Sequence, residues 1–193
     1  MGKREDILDA TLDLVVEDGL AAFSFSRLFE RANVGAGTVY HYFPGKDALL
    51  EALYTSVAQR MDQGVIEGWS ADQPVRTQFE VLLRGLAGYT LAHPKDLSLL
   101  DACKEARAIP AELKLRVTPG MKAALDLFAR GQAEGLLRPI HPHLALTITT
   151  GLLLSVVGGA AIGKFPWGPA ELDEVVESCW RAIATDRGLR TEP

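Results

Sequence analysis

An all-α fold is what this sequence predicts, and three observations carry the prediction. Apolar residues recur at three- and four-residue steps along most of the chain, the spacing of one helix face. Proline and glycine cluster between those stretches, as element boundaries do. No stretch alternates at period two, the signature of a half-buried strand.

The elements follow in order. Ile7, Leu8, Thr11, Leu12, Leu14 and Val15 form one apolar face, with Asp6, Asp9, Asp13 and Glu17 on the other. Asp18-Gly19 ends that helix, because glycine accepts the left-handed cap. Ser24 is placed to cap a short helix reaching Ala32. Asn33, next best to glycine at positive φ, turns the chain. A second short helix covers 36–42. Pro44-Gly45 breaks it, and a longer helix starts near Lys46 and runs into 62–68. Beyond 70–74 the pattern gives helices over 75–92, stopped by His93-Pro94, and over 96–106, ended by Ile109-Pro110. Another spans 111–134, kinked or split by Thr118-Pro119-Gly120. The next follows Pro142, and Pro169 suits the first position of the last helix, which ends near Ala184. The end at 191–193 is expected to fray.

The chain has 193 residues, 48% of them hydrophobic, with 20 Lys+Arg against 25 Asp+Glu and a net charge of −5. A basic protein that coats nucleic acid or an anionic membrane is excluded. Cys103 and Cys179 are the only cysteines, too few for a disulfide framework or a four-cysteine zinc site. Lys3-Arg4 is followed by Glu5-Asp6 and no apolar run, so no signal peptide is expected. Leu144 to Gly163 carries no charge over 20 residues, long enough to span a bilayer. Its Thr147, Thr149, Thr150, Ser155 and four glycines favour a helix buried between protein partners, with no membrane.

Residues 24–43 carry the chemistry. Two short helices joined at Ala32-Asn33-Val34-Gly35 have the layout of a helix-turn-helix. Leu28, Ala32, Val34, Val39 and Phe43 can face inward together, which turns Ala36, Gly37, Thr38, Tyr40 and His41 outward. Small residues at the start of the second helix let backbone approach DNA, and Gly35 and Ala36 leave amide groups free there. Hydroxyls and an imidazole can reach phosphates and base edges. Gly37 inside a short helix costs about 1 kcal/mol relative to alanine. Tyr40, His41 and Tyr42 put three rings in succession on a helix with one inner face, so at least one ring faces out.

Residues 4 to about 54 resemble the DNA-binding domain of the tetracycline-repressor (TetR) family of bacterial regulators. The family stretch reads Val-Ser-x-Gly-Thr-(Leu/Val)-Tyr-(His/Tyr)-(His/Tyr)-Phe-x-x-Lys-(Glu/Asp)-x-Leu. Here it is Val34-Gly35-Ala36-Gly37-Thr38-Val39-Tyr40-His41-Tyr42-Phe43-Pro44-Gly45-Lys46-Asp47-Ala48-Leu49. The resemblance implies an N-terminal three-helix DNA-binding domain, 1–46, and a C-terminal helical ligand-binding and dimerisation domain, 47–193. It implies a cytoplasmic, ligand-responsive transcriptional regulator, read as a repressor, that binds a palindromic operator as a homodimer and is released by a small hydrophobic ligand. An activator on the same scaffold, and a helical small-molecule binder that has lost DNA binding, stand as alternatives. Thr38, Tyr40 and His41 resemble groove and phosphate contacts, Lys46 the family's phosphate-contacting lysine, and Ser24 its capping hydroxyl. Arg27 lies where the supporting helix can touch the backbone.

Three departures bear on that reading. Gly35 replaces the usual Ser or Thr cap. Phe29 stands where the family has a small alanine. Residues 1–46 hold Lys3, Arg4, Arg27, Arg31 and Lys46 against Glu5, Asp6, Asp9, Asp13, Glu17, Asp18 and Glu30, a net charge of −2. DNA binding is therefore expected to depend on few phosphates.

In the uncharged helix, Gly151, Ser155, Gly159 and Gly163 fall at four-residue steps, a small-residue ridge that lets another helix approach closely. The expected homodimer seam, which the family resemblance also implies, pairs it with an apolar stripe of Leu172, Val175, Val176, Cys179 and Ile183, intrachain packing of a core helix being the alternative for the ridge. Phe79, Leu83, Tyr89, Leu100, Cys103, Met121, Leu125 and Phe128 are candidate lining for an effector pocket, plain core being the alternative for each. Such a wall favours a hydrophobic effector with one or two polar groups. His141-Pro142-His143 reads as a helix start and not a ligand pair. With no P-loop, dinucleotide fingerprint, Ser/His/Asp constellation or paired metal motif, neither an enzyme nor a cofactor or metal site is expected.

Overall fold

The computed structural model describes residues 2–104, 109–114, 116 and 118–190. Its helices are α1 (Lys3–Asp18), α2 (Phe25–Ala32), α3 (Ala36–Tyr42), α4 (Lys46–Val65), α5 (Val75–Ala92), α6 (Pro94–Lys104), α7 (Ala111–Lys114), α8 (Pro119–Ala133), α9 (Pro142–Ala161), α10 (Pro169–Ile183) and α11 (Asp186–Leu189). Among the described residues there is no strand, only an isolated bridge between Leu137 and Ala184.

The turn chemistry acts where it was expected. Gly19 ends α1 at positive φ, 83°, but with ψ 158° it is not in the left-handed cap conformation expected of it, whereas Asn33 at φ 49° and ψ 49° takes the left-handed conformation that ends α2. Thr118-Pro119-Gly120 splits the expected long helix: Thr118 Oγ1 accepts from the Met121 N–H at 3.2 Å and Pro119 opens α8. Ser24 differs from expectation. It stands at the N-cap of α2, but its hydroxyl lies 3.1 Å from the Ser26 hydroxyl and makes no cap bond to the helix. The expected helix ends at 105–106 and the fraying at 191–193 lie outside the described residues, and α11 was not anticipated.

Two compact units form, Met1–Arg60 with His93–Arg116, and Met61–Ala92 with Val117–Pro193. In the first, α1 packs on α2 and α6. Its core includes Ile7, Leu28, Val39, Leu49 and Val57, all fully buried, with Phe43, Leu99, Cys103 and Ile109 around them. Thr11, also fully buried, donates to the Ile7 carbonyl at 2.7 Å, which removes the cost of an unpaired hydroxyl.

In the second unit α5, α8, α9 and α10 pack on one another. Trp180 is the centre of one end. Phe79 meets its ring edge-on at 5.2 Å, the Arg76 guanidinium lies 4.8 Å over it, and its indole N–H donates to the Gly188 carbonyl at 3.2 Å. A Cβ on Gly188 would fall 2.2 Å from the Leu136 carbonyl oxygen, so only glycine fits there. Asp62, buried near the end of α4, accepts from the Gly120 N–H at 2.8 Å and from the Thr118 hydroxyl. A carboxylate at the start of α8 satisfies donors the helix cannot pair itself and complements its dipole.

The interface expected on α10 needs correction. Val175, Val176, Cys179 and Ile183 are at most 8% exposed within the single chain, and Leu172 packs against the same cluster. That stripe is intrachain core, because α10 turns it onto α9 and α5. Burial pushes the Cys179 thiol up to about 11.

The ridge on α9 divides. Gly151 and Ser155 are exposed, whereas Gly159 is covered by Phe165, whose ring would lie 3.2 Å from an added Cβ. Gly163 lies beyond the helix at φ 74°. Helix α9 is long and apolar enough to cross a membrane, with mean hydropathy 1.8, and 28% of that stretch is buried within the chain. Its buried side, Ala145, Thr149, Leu153, Val157 and Gly159, belongs to the core.

Candidate nucleic-acid interface

Helices α2 and α3 are locked together from inside. Leu28 and Val39 are fully buried and Phe43 nearly so. The Val34 N–H donates to the Phe29 carbonyl at 3.2 Å across the turn. The Gly35 carbonyl accepts from Thr38 and Val39 at 3.0 and 3.3 Å, so α3 starts cleanly despite the missing capping hydroxyl. Of the outward set, Ala36, Gly37, Thr38, Tyr40 and His41 are all exposed, as is Gly35 before them. A Cβ added at Gly37 would meet nothing within 4 Å. Packing within the chain therefore gives no reason for glycine there.

Tyr40 is 52% exposed and Tyr42 40%. Tyr40 lies edge-on to Phe25, with centroids 5.3 Å apart, and also meets Phe29 at 6.4 Å. The phenylalanine that departs from the family pattern thus lies against the tyrosine of the recognition helix. No periodicity could have shown that contact. His41 stacks edge-on against Tyr42 at 5.1 Å.

The cations are arranged differently from what their sequence positions suggest. Lys46, exposed at the start of α4, donates to the Phe23 carbonyl at 2.8 Å and lies 5.4 Å over the Phe23 ring. It ties α4 to the loop before α2. Arg27 pairs with Asp18. Arg31 bonds Glu17 through Nη1 at 3.0 Å, and Lys95 on α6 pairs with Asp13 at 2.6 Å. The Arg31 bond holds the Glu17 carboxyl below the usual range. Three of the six acids of α1, Asp13, Glu17 and Asp18, are thus paired by cations of α2 and α6.

The remaining candidates fall into different places. Leu100 and Cys103 belong to the first unit, Cys103 in its core. Phe79, Leu83 and Phe128 are buried core of the second, where Tyr89, Met121 and Leu125 are half-buried. Burial raises the Cys103 thiol. A groove of ≈ 380 Å³ in the first unit is lined by other residues, among them Arg4, Glu51, Gln59 and Leu113. Among the described residues no group of three or more His, Cys, Asp or Glu side chains could hold a metal ion.

Two short helices, a locked inner face and an exposed polar outer face define a helix-turn-helix transcriptional regulator. Residues 7–53 match the family model "Bacterial regulatory proteins, tetR family", and residues 54–185 match "Tetracyclin repressor-like, C-terminal domain". The chain belongs to the TetR family. It is 28% identical over 180 residues to an uncharacterized HTH-type transcriptional regulator of Haemophilus influenzae, covering 93% of this chain and 94% of that one. It is 34% identical over 145 residues to the HTH-type transcriptional repressor KstR of Rhodococcus jostii, covering 75% and 65%. A solved TetR-family transcriptional regulator of Haemophilus influenzae superposes with TM-score 0.80 at 25% identity, over 95% of this chain and 97% of that one. A regulator from Marinobacter aquaeolei shares the fold with TM-score 0.87 at 21% identity, over 94% and 95%. The family and these relatives are regulators, not enzymes.

Proposed function

We propose that this chain is a cytoplasmic, homodimeric repressor that reads a palindromic operator through α3 and releases it on binding a small hydrophobic effector. One observation carries the DNA reading. Thr38, Tyr40 and His41 face outward from a helix whose Gly37 has no packing role in the chain. Thr38, Tyr40, His41 and Lys46 are the contacts proposed, with Ser24, Gly35, Ala36 and Gly37 close to the backbone. Arg27 joins them by exchanging Asp18 for a phosphate.

The uncovered side of α9 supports the dimer. Leu144 is 51% and Ile162 73% exposed, with Gly151 and Ser155 open between them. An apolar helix face left open on a soluble chain is an interaction surface. Repression is the sense in which the relative KstR is named. Effector and operator would then compete through one conformational equilibrium.

The test is to enrich duplexes from a randomised pool with the purified protein. A palindromic consensus, bound two protomers per duplex, supports the reading, and no enrichment refutes it. Reciprocity tests the effector: a compound that releases the duplex must bind DNA-free protein more tightly than DNA-bound protein, by the same factor.

A further inference from the structure

We infer that Phe29 positions the Tyr40 side chain for DNA contact without touching DNA itself, an inference that rests on the DNA-reading role proposed for α3. Phe25 and Phe29 stand one turn apart on α2 and pack on each other at 5.9 Å. Together they wall one side of Tyr40. Its ring meets Phe25 at 5.3 Å with planes at 82°, and Phe29 at 6.4 Å with planes at 63°. These are edge-to-face geometries, the arrangement that aromatic quadrupoles favour. Both phenylalanines are half-buried and also pack against the core of the first unit, so the wall itself is anchored.

The consequence is orientational. An exposed tyrosine on a helix samples several staggered rotamers. Here the ring body is held while half of the residue remains in solvent. A hydroxyl held in one direction binds a phosphate or base edge without first losing rotamer freedom, which is the gain that preorganisation supplies. Phe29, with a larger side chain than the alanine of the family pattern, contributes to α2 the second ring of this wall. The role is positioning, and its energy is expressed only through the Tyr40 hydroxyl.

A double-substitution cycle tests this with a duplex enriched from a randomised pool by the unmodified protein. Phe29→Ala and Tyr40→Phe are each expected to weaken duplex binding by about five- to thirtyfold. The double variant is expected to stay within about twofold of Tyr40→Phe alone, because coupled residues are not additive. Losses that multiply overturn the positioning role. Aromatic NMR of the DNA-free protein provides a readout independent of DNA. The Tyr40 ring protons are expected to be displaced by ring currents and to return toward free-tyrosine values in Phe29→Ala. Unchanged shifts overturn the proposal. Should Phe29→Ala fail to fold, Phe29→Leu keeps apolar volume while removing the ring, and the same outcomes decide. A parent protein that enriches no duplex overturns the functional reading and the positioning role together. Binding by the parent with multiplying losses overturns the positioning role alone.

Discussion

Gly37 lies in an exposed helix where an added Cβ meets no atom within 4 Å, so stability and function make opposite demands on it. Gly37→Ala is expected to raise stability by up to about 1 kcal/mol, since alanine relieves the backbone-entropy cost of a helical glycine. It places a methyl group on the face proposed to meet DNA, so duplex affinity is expected to fall. Thermal melts and duplex titrations of the same protein check both signs. Thr38→Val and Tyr40→Phe remove hydroxyls from exposed positions and are each expected to weaken duplex binding by roughly 1–2 kcal/mol with unchanged melting. Lys46→Ala differs, because its ammonium also bonds the Phe23 carbonyl. It is expected to lose about 1 kcal/mol of stability together with affinity. The inward residues of this domain were legible because Leu28, Val39 and Phe43 obey helical spacing. The pairings of its cations were not. Arg31 finds Glu17 at a separation of 14 residues and Lys95 finds Asp13 at 82, and only the packing of α1 on α2 and α6 brings them together. The aromatic wall on Tyr40 was illegible for the same reason.

Helix α9 carries the strongest test among the elements. Gly159 is a poor probe of a seam, because a larger side chain there would strike Phe165 of its own chain. Gly151 is exposed and has open space around it. Gly151→Arg is expected to leave the helical content intact while overpacking a two-fold seam at roughly 1–3 kcal/mol per site, applied twice by symmetry. Sedimentation is expected to show a monomer where the parent is a dimer, and palindrome binding is expected to vanish with it. A variant that stays dimeric removes Gly151 from the seam. The ends of the helices were legible, since Gly19, Asn33, Pro119 and Pro169 act through their own backbone preferences. The partners of α9 and α10 were not, because α9 is apolar on several sides and the single apolar stripe of α10 does not say whether it meets its own chain or a second copy. Charge gives α10 a second test. Arg76 bonds Glu177 at 2.6 Å and holds its carboxyl below the ordinary value of 4.5. A depressed carboxylate stabilises the fold fully above that value and loses the contribution as pH falls through the lower folded value. Glu177→Gln is expected to flatten the acid side of the melting curve and leave its shape at neutral pH unchanged.

For the molecule as a whole, a net charge of −5 opposes approach to DNA, and any binding must come from a local arrangement of charge. Within the reading unit, Asp13, Glu17 and Asp18 are engaged by Lys95, Arg31 and Arg27. That pairing weakens the repulsion of the acids but also occupies cations that could otherwise meet phosphates. Lys46 remains exposed beside α3, and Arg4, 5.5 Å over the Phe43 ring, stands at the start of α1. If each reading head neutralises about two phosphates, a dimer neutralises about four, and log K against log salt is expected to fall with a slope of roughly −4. The measurement is a salt titration of the enriched duplex. Lys46→Ala, present twice in the dimer, is expected to make that slope shallower by about 2, one unit for each lost phosphate contact. A parental slope of about −8 or steeper would mean that Arg27 and Arg31 leave their acid partners on DNA. In that case Asp18→Asn and Glu17→Gln, which free those arginines in advance, are expected to tighten binding. With the shallow slope the same two substitutions are expected to act only through the general reduction in negative charge, weakly and alike on every duplex sequence.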